Sequence, residues 1–399
     1  MNDTKKISFR HKVFNDINFV TIAAVTLIAV LGVSSITPAF PKVEKELGIS
    51  TQQVGLLITV FTIPGVLLTP IFGVLGDRLG RKKVLVPSLF LFAIAGTLCA
   101  FMVDFYLLLF FRFLQGIGSA SLGSLNVTLI GDIYKGKERA AVMGYSASVL
   151  SVGTAAYPAI GGVLAVFGWN FPFLLPVLAL PVGILVITSL HNPEPKNEQS
   201  LRDYLISTWE SIKNFQVLGI FLTSVVTFII LYGSYLTYFP FLLDRNFGAS
   251  TVTIGILMSS MSLTTAITSS QLGKLVSFFS EKKLILIAFV LYIISLVLIP
   301  LIDNIWGLAL PVILFGVAQG MNIPSIQTLL ASLAPIEYRA AFMSLNGMVL
   351  RLGQTLGPVL MGLIYISLGI EATFYAGAIF GLVMIILVTI MIKEKQKDE

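Results

Sequence analysis

Apolar residues run along the chain in long stretches, which are separated by short polar connectors rich in charge and glycine. A stretch of about 20 apolar residues is long enough for an α-helix to cross the hydrocarbon core of a bilayer. We therefore predict twelve membrane-spanning helices, called spans 1 to 12 below. They lie at about 17–40, 51–75, 84–103, 105–132, 140–166, 172–190, 215–242, 250–272, 284–302, 305–332, 340–367 and 372–392.

The longest connector lies between spans 6 and 7 and divides the spans into six plus six. It contains an amphipathic piece from Leu201 to Ile212. The predicted domains are a six-helix bundle at 1–190, a cytoplasmic linker at 191–214 and a second six-helix bundle at 215–399.

The two halves repeat the same residues at an offset of about 200 positions. Arg139-Ala140-Ala141 recurs as Arg339-Ala340-Ala341, and Gln115-Gly116 of span 4 corresponds to Gln319-Gly320 of span 10. Two like-oriented repeats are related by a pseudo-two-fold axis along the membrane normal, with the binding site near the midplane. The predicted fold class is therefore an all-α membrane protein with twelve transmembrane helices in two pseudo-symmetric bundles.

Composition supports a membrane protein, because charged residues make up 12% of the chain, against about 25% in soluble domains. The net charge of +6 does not indicate a nucleic-acid partner, since the charges lie in short connectors and form no basic face. The two histidines, His11 and His191, lie in connectors, and the single cysteine, Cys99, lies in an apolar run. We therefore expect no metal site, no disulfide and no bound cofactor.

Basic residues are distributed very unevenly between the two sides of the membrane. Of the 26 Lys and Arg residues, 21 fall in connectors on the side of the N-terminus, and three, Lys42, Lys45 and Arg245, fall on the other side. The positive-inside rule then places both termini in the cytoplasm. We expect a monomeric multi-pass protein of the inner (plasma) membrane, with the lipid bilayer, a small-molecule substrate and protons as partners.

The connector between spans 2 and 3 reads Gly-Val-Leu-Gly-Asp-Arg-Leu-Gly-Arg-Lys-Lys from Gly73, and residues 273–283 are a degenerate copy of it. Asp77 ends span 2, where the helix dipole disfavours an anion. A cation such as Arg81, or the N-terminus of another helix, must offset this cost. An alternative is that the basic residues act only as a topology signal, but topology alone needs neither the glycines nor Asp77.

Three motifs together resemble the major facilitator superfamily, in particular its drug/proton antiporter branch with twelve spans. The resemblance covers nearly the whole chain. Its motifs are the connector after span 2, the segment Arg112-x-x-Gln115-Gly116-x-Gly118 in span 4, and the glycine and proline pattern of span 5. The chain departs from the antiporter pattern at Tyr157, where that pattern has glycine.

The resemblance implies that Asp77 docks on the start of span 11 and holds the cytoplasmic side shut. Asp132, at the inner end of span 4, is then the expected partner of the basic loop. The implied latch consists of Gly73, Asp77, Arg78, Gly80, Arg81 and Asp132. The implied helix seam, where spans 5 and 8 of opposite halves meet, involves Gly144, Gly153, Pro158, Gly161 and Gly162, with Gly353, Gly357 and Pro358 as their second-half equivalents.

Arg112 lies about eight residues into span 4, where a cation costs about 2.5–3.5 kcal/mol on insertion scales. The resemblance implies a role in proton coupling, for which Arg112, Gln115 and Asp132 are the candidates. The alternative is a structural arginine that is satisfied by backbone carbonyls and Gln115.

Arg351 lies near the middle of span 11, and its counterpart in the first half is Ser151, so the repeat does not require a cation there. Two interpretations are open. Arg351 either attracts an anionic or carbonyl-rich substrate, or it packs against Gln354, Asn346 or a carbonyl and shapes the bundle.

The candidate cavity residues are mainly uncharged polar and aromatic side chains, which suit amphipathic molecules of modest size. The candidates are Phe61, Asn126, Tyr157, Tyr232, Tyr235, Gln319, Asn322, Asn346, Arg351 and Gln354. Packing between helices is the alternative role for most of them.

No Asp or Glu falls in the middle of a predicted span. This argues against a strict exporter of cations and leaves Asp16, Asp132 or an interfacial acid for a proton route. We predict a secondary-active transporter, not an enzyme, that exports small amphipathic compounds and uses the proton gradient. The alternatives are a transporter of a specific metabolite or siderophore-like anion, and a non-transporting scaffold, which the latch glycines and the repeat disfavour.

Overall fold

The computed structural model describes residues 16–192, 214–333 and 339–393, and the structured elements within these residues are helices. Twelve of the helices are long and apolar enough to cross a membrane, which confirms the twelve predicted spans. The predicted linker segment Leu201–Ile212 and His11 lie outside the described residues.

The first half contains spans 1 to 6. Span 1 consists of Ile17–Ser34 and Phe40–Leu47, joined by a 3-10 turn at Thr37–Ala39. Span 6 begins as a 3-10 helix at Phe171–Leu178 and continues as Ala179–Ser189. The remaining helices are span 2 at Thr51–Leu79, span 3 at Arg81–Leu98, span 4 at Phe105–Ile133 and span 5 at Gly136–Phe167.

The second half contains spans 7 to 12. Span 7 consists of Phe215–Ile229, a π-helical segment at Ile230–Tyr238, and Phe239–Phe247. The remaining helices are span 8 at Thr251–Ser270, span 9 at Glu281–Leu298, span 10 at Ala309–Leu333, span 11 at Arg339–Leu368 and span 12 at Ile370–Met391.

Span 1 is longer than the sequence predicted, because the chain passes Pro38 and Pro41 and stays helical to Leu47. The prolines occupy early positions of short helical segments, where their missing N–H costs no hydrogen bond. Span 10 begins later than predicted, at Ala309, after a turn. The extension of span 1 places a charged helix end, with Glu44 and Lys45, at the outer surface.

The same turn joins span 1 to span 2 and span 7 to span 8. Gly48 and Gly248 end the first helix of each pair with φ of 60° and 59°, in the left-handed region that glycine occupies without steric cost. Ser50 and Ser250 then cap the next helix, each accepting a hydrogen bond from the backbone N–H three residues later. Equivalent turns therefore set the outer helix ends of both halves in equivalent positions.

Equivalent lysines in the first turns of spans 3 and 9 also tie these spans to the last helix of each half. Lys82 Nζ donates to the carbonyl oxygen of Ile187 in span 6 at 2.5 Å, and Lys282 Nζ donates to that of Thr389 in span 12 at 3.0 Å. Cations are favoured beside the carbonyl oxygens at a helix C-terminus. These basic residues therefore have structural contacts besides their value as a topology signal.

The two halves meet along two pairs of helices. Span 2 packs against span 11, and span 5 packs against span 8, while spans 3 and 6 and spans 9 and 12 pair within their own halves. The two cross-half contacts are together called the seam below.

Candidate functional site

The seam is pseudo-symmetric at the level of single residues. Gly55 of span 2 faces Pro358 of span 11, where a Cβ on the glycine would lie 3.4 Å from the proline Cβ. At an offset of 200, Gly255 of span 8 faces Pro158 of span 5, and a Cβ there would overlap the proline carbonyl. Glycine is required at this second contact, because two helix backbones touch with no room for a side chain.

Hydrogen bonds from small hydroxyl side chains cross both parts of the seam. Between spans 2 and 11, the Thr59 hydroxyl donates to the Thr355 carbonyl at 3.2 Å, and the hydroxyls of Thr62 and Thr355 lie 2.9 Å apart. Between spans 5 and 8, the Thr251 hydroxyl donates to the Gly162 carbonyl at 2.8 Å. These bonds satisfy buried polar groups and hold the halves in one register.

The outer ends of spans 1 and 7 are joined by two crossed ion pairs. Arg245 Nη2 lies 2.9 Å from Glu44 Oε1, and Lys45 Nζ lies 2.9 Å from Asp244 Oδ2. Glu44-Lys45 and Asp244-Arg245 are equivalent dipeptides at an offset of 200. The acid of each half therefore pairs with the base of the other half.

Arg245 extends this ion pairing to spans 2 and 11. Its Nη2 donates to the Thr51 hydroxyl and its Nη1 to the Tyr365 hydroxyl, each at 2.7 Å. We call Glu44, Lys45, Asp244, Arg245, Thr51 and Tyr365 the outer cluster. It joins spans 1, 2, 7 and 11 on the face opposite the basic connectors.

The two ion pairs of the outer cluster differ in their surroundings. Lys45 has 63% of its side chain exposed, and an exposed ion pair contributes about 1 kcal/mol or less. Arg245 and Glu44 are 35% and 18% exposed and belong to a network with two hydroxyl groups. Arg245 is therefore the main electrostatic link between the halves at this end.

At the inner end, the ion pairs lie within the first half. Arg81 contacts the Asp77 carboxylate four residues earlier, and its Nε lies 3.1 Å from Asp132 Oδ2. Arg81 is therefore the cation that offsets an anion at the end of span 2, and Asp132 joins it to span 4. Residues 334–338, which precede span 11, lie outside the described residues, so the docking of Asp77 on that helix stays a prediction.

The glycines of this connector have different environments. Gly80 adopts φ of 101° between spans 2 and 3, a conformation that side chains other than glycine rarely adopt. A Cβ on Gly73 would meet no atom within 4 Å, whereas one on Gly76 would collide with Leu125 of span 4. Arg78 is exposed. Gly76, which the sequence analysis did not single out, therefore packs tightly against a flexible side chain of span 4.

Asp16 is the N-cap of span 1, where its side chain accepts a hydrogen bond from the Asn18 N–H. The Tyr134 hydroxyl donates to its Oδ2 at 2.5 Å. Burial and the neighbouring Asp16 carboxylate raise the pKa of Tyr134, so the tyrosine stays protonated as a donor. This bond joins the inner ends of spans 1 and 4.

Asp77→Asn should leave the protein inserted in the membrane but lower its turnover about 5- to 150-fold. This range corresponds to a coupling of about 1–3 kcal/mol between the connector after span 2 and the conformational equilibrium. The reason is that Arg81 would keep only Asp132 as an anionic partner. Transport rate per inserted molecule is the measurement. The exposed Arg78→Gln is the matched control, and equal losses in both variants would leave only the topology role.

Arg112 is fully enclosed by the first half, with 1% of the residue exposed. Its Nε and Nη1 donate to the carbonyls of Leu57 and Gly32 at 3.0 Å, and Nη1 donates to Gln115 Oε1 at 2.7 Å. The guanidinium also lies 4.3 Å from the centre of the Phe61 ring. These are the contacts of a structural arginine, and the coupling role of Arg112 and Gln115 stays a prediction.

Gly116 and Gly118 of the same motif pack helices together. A Cβ on Gly116 would overlap the Phe61 carbonyl of span 2, and one on Gly118 would lie 2.6 Å from the Phe92 nitrogen of span 3. The motif therefore builds the interior of the first bundle.

Most candidate cavity residues have partners inside one bundle. Asn126 bonds to Thr26 at 2.6 Å, Asn322 to Thr227 at 2.7 Å, and Asn346 to Ser224 at 3.1 Å. Others are buried against aromatic or helical neighbours: Tyr235 stacks between Phe239 and Phe315, Gln319 accepts a bond from Tyr292, and Tyr157 packs beside Gly153. For these residues, and for Phe61 beneath Arg112, the packing interpretation describes the observed contacts.

Arg351, Gln354 and Tyr232 form a separate group beside the seam. Arg351 Nη1 donates to Gln354 Oε1 at 3.2 Å. Tyr232 of span 7 is close enough to Arg351 for the charge of the arginine to act on its hydroxyl group. Arg351 is half-buried. Arg351, Gln354 and Tyr232 are therefore the candidate binding site among the residues proposed from the sequence.

The predicted seam glycines also divide into groups. Pro158 and Gly162 pack on span 8, and Pro358 packs on span 2, across the seam. The others pack within one half or are open: Gly153 and Gly161 lie against span 1, Gly353 and Gly357 lie against span 7, and a Cβ on Gly144 would meet nothing within 4 Å. The contact between halves is thus made by fewer residues than the pattern suggested.

The sequence profile of the Major Facilitator Superfamily matches residues 22–245 and 239–399, which together cover nearly the whole chain. The chain belongs to the Major Facilitator Superfamily. Multidrug resistance protein 2 of Bacillus subtilis (strain 168) is 24% identical over 388 residues, which are 95% of this chain and 96% of that protein. The chain is therefore a multi-pass membrane transporter of this superfamily.

Two further comparisons refine the likeness. The bacillibactin exporter of Bacillus subtilis (strain 168) is 35% identical over 163 residues, covering 39% of this chain and 40% of that protein. The crystal structure of the nucleoside transporter NupG superposes with a TM-score of 0.80 at 15% identity, covering 94% of this chain and all of that one. The second comparison shows the major facilitator fold.

The outer cluster was missed in the sequence analysis, which treated Lys45 and Arg245 only as minor charges on the outer side. The signal that could have found it is the 200-residue offset itself, since Glu44-Lys45 and Asp244-Arg245 repeat acid and base in the same order.

Proposed function

We propose that this superfamily member exports small amphipathic compounds by alternating access, with the proton gradient as the energy source. The observation that carries this proposal is the difference between the two ends of the seam. Outer-end ion pairs cross between the halves, whereas the described inner-end ion pairs stay within the first half. Such an arrangement is closed on the outside, which is one of the two end states that alternating access requires.

The names of the relatives support export of drug-like compounds, since multidrug resistance proteins align over most of the chain. A second candidate is export of one specific metabolite or siderophore-like anion. It is favoured by the local identity to the bacillibactin exporter and by Arg351 beside the seam.

Purified protein in liposomes with an imposed pH gradient should move a fluorescent amphipathic dye against the concentration gradient of the dye. A protonophore should abolish this movement. Dye efflux that persists after the gradient is collapsed would contradict proton coupling. The second candidate would be favoured if the protein moved none of a broad panel of dyes but did move one anionic metabolite.

A further inference from the structure

Arg351 and Arg112 are both cations inside spans, but their guanidinium groups are satisfied very differently. A guanidinium has five N–H donors. Arg112 donates through Nε and Nη1 to two carbonyls and an amide and lies over a ring, although its Nη2 has no hydrogen-bond partner among the described residues. Arg351 makes one bond, to Gln354, and none of the four ion pairs formed within residues 16–192, 214–333 and 339–393 includes it.

The position of Arg351 makes it reachable from the space between the halves. A Cβ on Gly65 of span 2 would lie 3.0–3.2 Å from the Cδ, Nε and Cγ atoms of Arg351. Because Gly65 has no side chain, the arginine stem packs against the span 2 backbone at the seam. The residue stays half-buried, whereas its neighbours Gln354 and Thr355 are each 8% exposed.

Five acids at the ends of the spans are already engaged elsewhere. Asp77 and Asp132 contact Arg81, Glu44 and Asp244 belong to the outer cluster, and Asp16 accepts from Tyr134. The interior beside the seam therefore carries a positive charge that no described carboxylate balances. Such a site attracts an anionic ligand and repels a cationic one.

We infer that the exported compound carries a carboxylate, or a similar planar anion, which binds Arg351 beside Gln354 and Tyr232. This inference rests on the proposed function and names the substrate class of the same site. The arginine fork matches two carboxylate oxygens at once. Tyr232 and Phe228, whose ring centres are 5.9 Å apart, supply an aromatic surface for the apolar part of the compound. Repulsion of cations adds specificity beyond the attraction of the anion.

Three fluorescent probes that each carry a dansyl group and differ in charge test this inference. They are dansyl-leucine with a free carboxylate, its neutral amide, and a dansyl amine that carries a positive charge. Binding to the full-length purified protein in detergent should be strongest for the carboxylate. Arg351→Gln should weaken carboxylate binding at least tenfold and amide binding less than twofold. Arg351→Lys should recover part of the loss, since it keeps the charge but not the fork.

Ser151→Ala is the matched control, because Ser151 occupies the equivalent position in the first half and its hydroxyl donates within its own helix. It should leave the binding of all three probes unchanged. Equal loss of carboxylate and amide binding in Arg351→Gln, or no preference for the carboxylate in the unaltered protein, would overturn the inference. Binding without export in liposomes would instead contradict the proposed function and leave the anion site standing.

Discussion

Arg245→Glu should open the outer side of the protein. The change removes the bonds from Arg245 to Glu44, Thr51 and Tyr365 and sets two carboxylates against each other across the seam. We expect the equilibrium to shift away from the outer-closed arrangement by about 1–3 kcal/mol, or about 5- to 150-fold. Export should fall accordingly, because fewer molecules can load from the cytoplasm.

The measurement is the reaction of a cysteine placed at Thr59 with a maleimide that cannot cross the membrane. Thr59 is buried in the seam, and the native Cys99 is buried elsewhere, so labelling reports opening from the outside. Combining Arg245→Glu with Glu44→Arg should return labelling towards its original rate.

Lys45→Glu is the graded control for this prediction, since Lys45 is largely exposed and its pair is worth about 1 kcal/mol or less. It should increase labelling much less than Arg245→Glu. If the charge swap fails to restore closure, the outer cluster is not what holds the two halves together at this end.

Gly162→Ala should prevent the seam from closing fully. A Cβ at Gly162 would overlap the backbone carbonyl of Thr251, and a backbone carbonyl cannot rotate out of the way as a flexible side chain can. Overpacking of this kind costs about 1–3 kcal/mol. The outer-closed population should therefore fall, and export should fall with it by about 5- to 150-fold.

Gly144→Ala is the matched control, because Gly144 lies in the same helix and a Cβ there would meet nothing within 4 Å. Both variants share the gain in helix propensity that alanine brings, about 1 kcal/mol. The distance between labels on the outer helix ends should lengthen in Gly162→Ala and stay constant in Gly144→Ala. Equal distances in both variants would mean that the span 5 and span 8 contact tolerates a methyl group.

The spans could be predicted because a bilayer imposes a minimum length of apolar helix that reads directly from the sequence. The partner of Asp77 followed from helix electrostatics, since an anion at a helix C-terminus needs a cation close by, and Arg81 is one turn away. Both inferences use neighbours along the chain. The outer cluster joins residues 200 positions apart, so composition and local spacing could not show which helix ends meet.

For a related reason, the sequence could not distinguish residues that line a cavity from residues that pack helices together. Polar residue type identifies a buried polar group but not which face of its helix meets the other half. Tyr232 and Tyr235 lie three residues apart in span 7, yet Tyr235 is stacked between Phe239 and Phe315 while Tyr232 lies near Arg351. The π-helical segment Ile230–Tyr238 changes the side-chain register here, and its presence cannot be read from a 3.6-residue period.

Two pairs of spin labels on the full-length protein test the central claim that the halves tilt about the seam. Cysteines at the exposed positions Glu46 and Asn246 report the outer ends, and cysteines at Leu79 and Phe279 report the inner ends. Without a gradient, the outer distance should be short and the inner distance long. A transported compound with an imposed pH gradient should populate a second state in which the outer distance lengthens as the inner one shortens. Distances that change together, or that stay fixed while export proceeds, would contradict alternating access by these two halves.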